Sequence, residues 1–237
     1  MPVECVSRTH VGLKRKINED AMLADTAGGL WVVADGMGGH EAGEVASAMV
    51  VDALRLVPHG PDIDDFVANA VDALLEVNAQ LIGLAGSIDS ERTIGTTVVG
   101  IALDSGQYRC FWAGDSRAYL MRAGVLVRLS RDHSLVQDLV DAGMLQPDEA
   151  ERHENANVIT RAVGVREVVE IDVVSGEAMP GDLFLVASDG LTRVVADEEI
   201  ALELQRGSLE QIADRLIETV LARGAPDNVS LIITRVG

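Results

Sequence analysis

The sequence is poor in the residues that serve several common chemistries. It has only 2 cysteines, Cys5 and Cys110, both in apolar, strand-like surroundings without CxxC or Cys/His spacing. That argues against a zinc ribbon or a disulfide framework and for buried, reduced thiols. No apolar run approaches the roughly 20 residues of a bilayer span, and residues 1–9 lack a basic-then-apolar signal pattern, so the chain is expected in the cytoplasm. Positive charge is scarce as well. The 19 Lys and Arg stand against 38 Asp and Glu, a formal net charge of −19. Because the acids are spread along the chain, nucleic acid and anionic membranes are disfavoured as partners, and a phosphorylated substrate would be repelled unless local cations reversed the field. Neither a GxGxxG order nor a P-loop lysine is present. Repeats, low-complexity tracts and linkers are missing too. At 237 residues and 48% hydrophobic content, the chain reads as one domain, 1–237, with a sizeable core.

What is present is a series of short apolar runs that stop or start at an acid. Leu30 to Ala34 ends in Asp35 and the glycine turn Gly36-Met37-Gly38-Gly39-His40, with a helix expected from about Glu41. Ala21 to Asp25 and Leu30 to Ala34 flank the four-residue turn Thr26-Ala27-Gly28-Gly29 and should pair as a hairpin. If Asp25 lies opposite Leu30, Asp20 lies opposite Asp35. Tyr108 to Ala113 leads to Gly114-Asp115, Leu183 to Ala187 leads to Ser188-Asp189-Gly190, and Asp227-Asn228 precedes a final strand over Val229 to Val236. Val169, Ile171 and Val173 alternate with Glu170 and Asp172 as in a half-exposed strand, and the stretch from Met144 to Asn157 reads as a polar, irregular, mobile surface segment. Helical spacing runs from Ala46 to Val57 and, after Asp62 as a cap, through Ile63, Phe66, Val67, Ala70, Val71, Leu74, Leu75 and Leu81. A further helix opens at Ser208 with Gln211 as a capping box, after one beginning near Asp197. Helices in pairs between strands joined by short turns favour mostly antiparallel sheets covered by helices.

Asp is common in turns, so any one of these acids could be purely structural. Together they carry a different message. Carboxylates brought to about 4 Å repel by roughly 4 kcal/mol per pair at an effective dielectric near 20, a large fraction of a domain's stability. A cation must sit between them if they converge, and all-oxygen ligation without His or Cys suits magnesium or manganese. Arg15 is either a surface ion pair or a bidentate clamp for phosphate. His40 is either a helix-start residue or a proton donor to a leaving oxygen. His133 reads as structural, and Trp31 and Trp112 read as core.

In order along the chain, Arg15-Lys16-Ile17-Asn18-Glu19-Asp20, Val33-Ala34-Asp35-Gly36-Met37-Gly38-Gly39-His40, Gly95-Thr96-Thr97, Gly114-Asp115-Ser116-Arg117, Ile159-Thr160-Arg161-Ala162-Val163-Gly164, Ser188-Asp189-Gly190 and Asp227-Asn228 resemble the motifs of the metal-dependent Ser/Thr protein phosphatases of type 2C, in their compact bacterial form. The resemblance covers essentially the whole chain. It implies an α+β fold, a four-layer α-β-β-α sandwich of two mostly antiparallel sheets flanked by helix pairs. It implies hydrolysis of phosphoserine and phosphothreonine by a water activated between two Mn²⁺ or Mg²⁺ ions, with a third ion of the kind seen in bacterial members. By position, Asp35 would bridge two ions and the Gly36 carbonyl would bind one. Asp189 and Asp227 would complete one shell, Glu19 or Asp20 would serve the other, and Asp115 with Asp189 would hold the third ion. Arg15 would hold the phosphate, and residues 137–157 would form the flap. Many eukaryotic relatives have His where this chain has Met37; here His40 is the nearby imidazole. The implied partners are phosphoproteins made by a Ser/Thr kinase in a signalling role, with the enzyme acting as a monomer. Two other readings stand beside this one: a phosphatase-like module that binds phosphoprotein without hydrolysing it, and a hydrolase of nucleotides or phosphosugars using the same metal chemistry.

Overall fold

The computed structural model describes residues 2–38, 42–88, 93–150 and 153–237. Two sheets stack face to face. The first holds β1 (Val3–His10), β7 (Arg117–Arg122), β8 (Val125–Arg128), β10 (Leu183–Ala187) and β11 (Val229–Val236) in the order β1-β11-β10-β7-β8. The second holds β2 (Asp20–Asp25), β3 (Leu30–Met37), β5 (Val98–Asp104), β6 (Gln107–Ala113) and β9 (Asp172–Glu177) in the order β2-β3-β5-β6-β9, with β4 (Gly95–Thr96) paired to β3. Every pairing is antiparallel. Helices α1 (Ala42–Arg55) and α2 (Ile63–Ile88) cover the second sheet. On the first sheet, α6 (Asp197–Glu203) and α7 (Leu209–Ala222) do the same. The α+β four-layer sandwich expected from the sequence is the fold observed.

The layers follow from the two-residue period of the strands. Along β3, Leu30, Val32 and Ala34 face α1 and α2, while Trp31 and Val33 face the other sheet. Between the sheets Trp31, Val33, Ile101, Cys110, Trp112, Phe184, Val186 and Ile232 form a dry layer. Cys110 is buried and Cys5 half-buried, both free thiols. Asp35 is the next residue on the inter-sheet side of β3, so the apolar layer ends at a carboxylate.

Several local signals act as the sequence suggested. Asp62 Oδ1 accepts the N–H groups of Asp64 (2.9 Å) and Asp65 (3.0 Å) at the start of α2, and Ser208 with Gln211 forms the capping box of α7. Others differ. The helical spacing toward Val57 stops at Arg55, ahead of Pro58. In α2 Leu75 faces solvent, and Val77 and Ala85 join the buried stripe in its place. By length and composition this helix could cross a membrane, although the sequence had shown no such run; its apolar face lies on the second sheet. The half-exposed strand begins at Asp172, because Val169 is buried in the helix-side core instead of alternating along a ladder. After the short helix α3 (Leu135–Asp141), capped by Ser134, the stretch from Met144 to Asn157 is less irregular than expected among its described residues: it contains the single turn α4 (Pro147–Ala150), and a bridge between Ser134 and Ile159 closes its base.

Candidate metal centre at the strand ends

The register of the β2–β3 hairpin sets Asp20 directly opposite Asp35, as the turn length required. On the facing sheet, β10 is followed by Ser188, whose hydroxyl donates to Asp20 Oδ2 at 2.9 Å and so joins the two sheets at this point. A second link runs between Thr97 Oγ1 and Ser116 Oγ at 2.7 Å. The Asp35 backbone is fixed on both sides. Its carbonyl accepts from the Thr97 N–H (2.8 Å) and the Thr96 hydroxyl (2.9 Å), and its N–H donates to Thr97 Oγ1 (3.1 Å). Small hydroxyl residues therefore continue the inter-sheet face where the apolar layer stops, and the cleft above them gathers the acids.

Glycines let the strands and helices meet there. A Cβ on Gly36 would collide with the Gly43 carbonyl at the start of α1, and one on Gly190 would collide with the Asn228 carbonyl. The second contact brings Asp189, at the first position of the one-turn helix α5 (Asp189–Thr192), beside Asp227 at the entrance of β11. Asn228 holds the Arg15 loop by donating from Nδ2 to the carbonyls of Val11 and Ile17, both at 2.9 Å, and accepting the Glu19 N–H on Oδ1 at 2.8 Å.

The electrostatics show convergence. Burial first, then the neighbouring Asp189, Asp20, Asp115 and Asp227 charges, hold the Asp35 carboxyl well above the ordinary carboxylate range. Burial pushes Asp20 up to about 6, with Asp227 adding to the rise. Asp115, the most enclosed of the set, is pushed up to about 7 by burial and by Asp189, against the opposing pull of Arg193. Asp189 is raised by burial, relieved by Arg193, and raised again by Asp227 and Asp20. Five aspartates thus share one low-dielectric cleft with too little positive charge.

Among the described residues no three of these side chains already stand as a finished metal cage, because cationic and hydroxyl groups of the chain occupy part of the oxygen set. Arg15 Nη2 donates to Asp227 Oδ2 at 2.7 Å. Arg193 Nη2 donates to Asp115 Oδ2 at 2.7 Å, and its Nε lies 2.9 Å from Asp189 Oδ2. Three buried carboxylate oxygens, Glu19 Oε1, Asp20 Oδ1 and Asp115 Oδ1, have no partner among the described residues. An orphaned buried oxygen is costly. Hard oxygen donors with surplus negative charge match Mn²⁺ or Mg²⁺, so the residues around Asp35 fit a pair of such ions.

Of the residues singled out in the sequence, Asp20, Asp35, Asp115, Asp189, Asp227, Arg15, Glu19 and Gly36 are brought to this end of the sandwich. His40 lies outside the described residues. His133 is structural: its Nδ1 accepts the Gly114 N–H at 3.1 Å, Nε2 faces Asp172 Oδ2 at 3.2 Å, and burial followed by Arg161 lowers its pKa, keeping the imidazole neutral. Trp31 and Trp112 are core residues. Arg193, Asn228, Ser188 and Thr97 were not assigned roles from the sequence. Thr97, Ser188 and Asn228 stand in motifs noted in the sequence, and Arg193 has an (i, i+4) spacing from Asp189.

A cavity of about 660 Å³ leads from Asp115, Asp189 and Arg193 toward residues 137–157, lined also by Arg117, Arg128 and Gln137. A smaller cavity, about 300 Å³, lies at the β2–β3 and β5–β6 turns. It contains none of the five clustered aspartates.

Residues 10–230 match the family model described as Protein phosphatase 2C. The chain is 37% identical over 230 residues to the serine/threonine protein phosphatase PstP of Mycobacterium tuberculosis, covering 97% of this chain and 44% of the relative, so it spans less than half of that protein's length. Among solved structures it is similar to PppA of Pseudomonas aeruginosa, described as a regulatory component of the T6SS, with TM-score 0.92, 41% identity, and coverage of 99% of this chain and 98% of the other. It also resembles the catalytic domain of PstP in complex with two manganese ions, with TM-score 0.88, 36% identity and 99% coverage of both chains.

Proposed function

Because the chain belongs to the protein phosphatase 2C family, we propose that it hydrolyses phosphoserine and phosphothreonine in proteins, with Mn²⁺ or Mg²⁺ held by the acids around Asp35. The observation that carries this reading is the convergence of Asp20, Asp35, Asp189 and Asp227 at one end of the sandwich, the first three strained chiefly by burial and further by their neighbours' charge. Residues from Arg15 to Asp227 are needed to build it, so the whole of 1–237 acts as one catalytic unit. Asp35 would be shared by two ions, with Asp189 and Asp227 on one side and Glu19 or Asp20 and the Gly36 carbonyl on the other.

When bound, the two cations supply charge to offset the phosphoryl oxygens and to acidify an attacking water. The chain's own residues set the rest. Asp35 is immobilised by Thr96 and Thr97, which fixes the acid on which the site is centred. Arg15, which donates to Asp227 at the rim of the site, would supply the bidentate guanidinium contact to the phosphate. His40 is proposed as a proton donor to the leaving serine or threonine oxygen.

We place the chain in the cytoplasm as a monomer, in keeping with its free thiols, acting on products of Ser/Thr kinases. Protein supplied with Mn²⁺ is expected to release phosphate from a phosphothreonine peptide much faster than from free nucleotides, and EDTA or Asp35→Asn to abolish the release. Binding of the phosphopeptide without turnover under these conditions would instead make the chain a recognition module.

A further inference from the structure

Resting on the two-ion reading above, we propose that Arg193 is a resident cation that takes the place of a third metal ion between Asp115 and Asp189. Arg193 follows the single turn of α5, one helical turn after Asp189, so both side chains leave the same face. Two of its three nitrogens face these acids. Nε meets Asp189 Oδ2 at 2.9 Å, and Nη2 reaches Asp115 Oδ2 at 2.7 Å and the Ala156 carbonyl at 3.1 Å. One group thereby joins the two carboxylates that the family resemblance gives to a third ion, and ties them to the 137–157 segment.

A guanidinium does not lose its proton in a protein, so this charge is permanent. A divalent ion ligated by both carboxylates would sit about 2.1 Å from their oxygens, within the space the guanidinium fills and against its like charge. Asp189 also faces Asp35 and Asp227, so its charge is already shared with the two-ion centre, and Arg193 offsets what remains at Asp115. Asp115 Oδ1, the oxygen that Arg193 does not contact, is buried and has no partner among the described residues. It is the atom on which a third ion would betray itself.

The test is a count of bound ions. Equilibrium dialysis in millimolar Mn²⁺ with elemental analysis should give two ions per chain for the wild type and for Arg193→Lys, which keeps the charge. Arg193→Met removes the charge while retaining a long side chain, and should bind three; Arg193→Met with Asp115→Asn should return to two. Three ions in the wild type, or two in Arg193→Met, overturns the inference while leaving the two-ion reading intact. No ion bound by the wild type removes the two-ion reading and the inference with it. Should Arg193→Met fail to fold, anomalous scattering from a wild-type crystal grown with Mn²⁺ decides alone: a peak on Asp115 overturns the proposal, and peaks confined to the Asp35 centre support it.

Discussion

At the scale of single residues, the site is organised by what its acids cost. Asp20 and Asp35 face one another across a hairpin, and both are held above their ordinary pKa chiefly by burial. Removing one of these charges should therefore help the metal-free fold and harm the metal-bound function. For Asp20→Asn in EDTA at pH 7.5 the expected gain is about 1 kcal/mol, a rise of roughly 2–4 °C in Tm for a chain of this size, accompanied by weaker Mn²⁺ binding. A calorimetric scan that finds the variant less stable than the wild type in EDTA would show that Asp20 is not under electrostatic strain.

At the scale of elements, the site depends on the loop between β1 and β2 being pinned to the start of β11. Asn228 makes three hydrogen bonds across that gap, to Val11, Ile17 and Glu19. Asn228→Ala leaves these groups without their partner, and at about 1 kcal/mol per bond the loss should be roughly 2–3 kcal/mol. The same change loosens the carrier of Arg15, so KM for a phosphopeptide should rise more than kcat falls. Urea denaturation and steady-state kinetics check the two effects separately, and an unchanged KM would detach Arg15 from phosphate binding. Gly190 tests the other junction. A Cβ there strikes the backbone of Asn228, so Gly190→Ala should move β11 relative to α5 and lower Mn²⁺ affinity even if the protein still folds, a change measurable by calorimetric titration.

At the scale of the whole molecule, metal binding and pH are linked. An unfolded aspartate titrates near 3.8, whereas folded Asp20 and Asp115 titrate at about 6 and about 7. Between these values the folded chain holds more protons than the unfolded one, so the acids' contribution to metal-free stability is complete below pH 3.8 and is lost as pH rises through 6 to 7. Ions require the ionised carboxylates and reverse this trend. The stabilisation on adding Mn²⁺, read as a rise in Tm, should accordingly be larger at pH 8 than at pH 5.5, reaching about 2.7 kcal/mol of free energy at a concentration of ~100 Kd. Parallel melting curves with and without Mn²⁺ across that range would rule the linkage out. The net charge of −19 acts in the same direction, since divalent cations also screen the molecule's general self-repulsion.

The sequence by itself determined several strands, most helices and the pairing of Asp20 with Asp35, because side-chain periodicity and turn length are local properties. It also placed acids at the ends of apolar runs, which was enough to call for a hard divalent cation. Tertiary structure alone decided which charges meet. That Arg15 reaches Asp227, 212 positions away, and that Arg193 spans Asp189 and Asp115, depends on how two sheets stack and on close approaches at Gly36 and Gly190. Electrostatic pairing acts through space after the chain has folded, so local spacing could name the acids but not the cations that balance them.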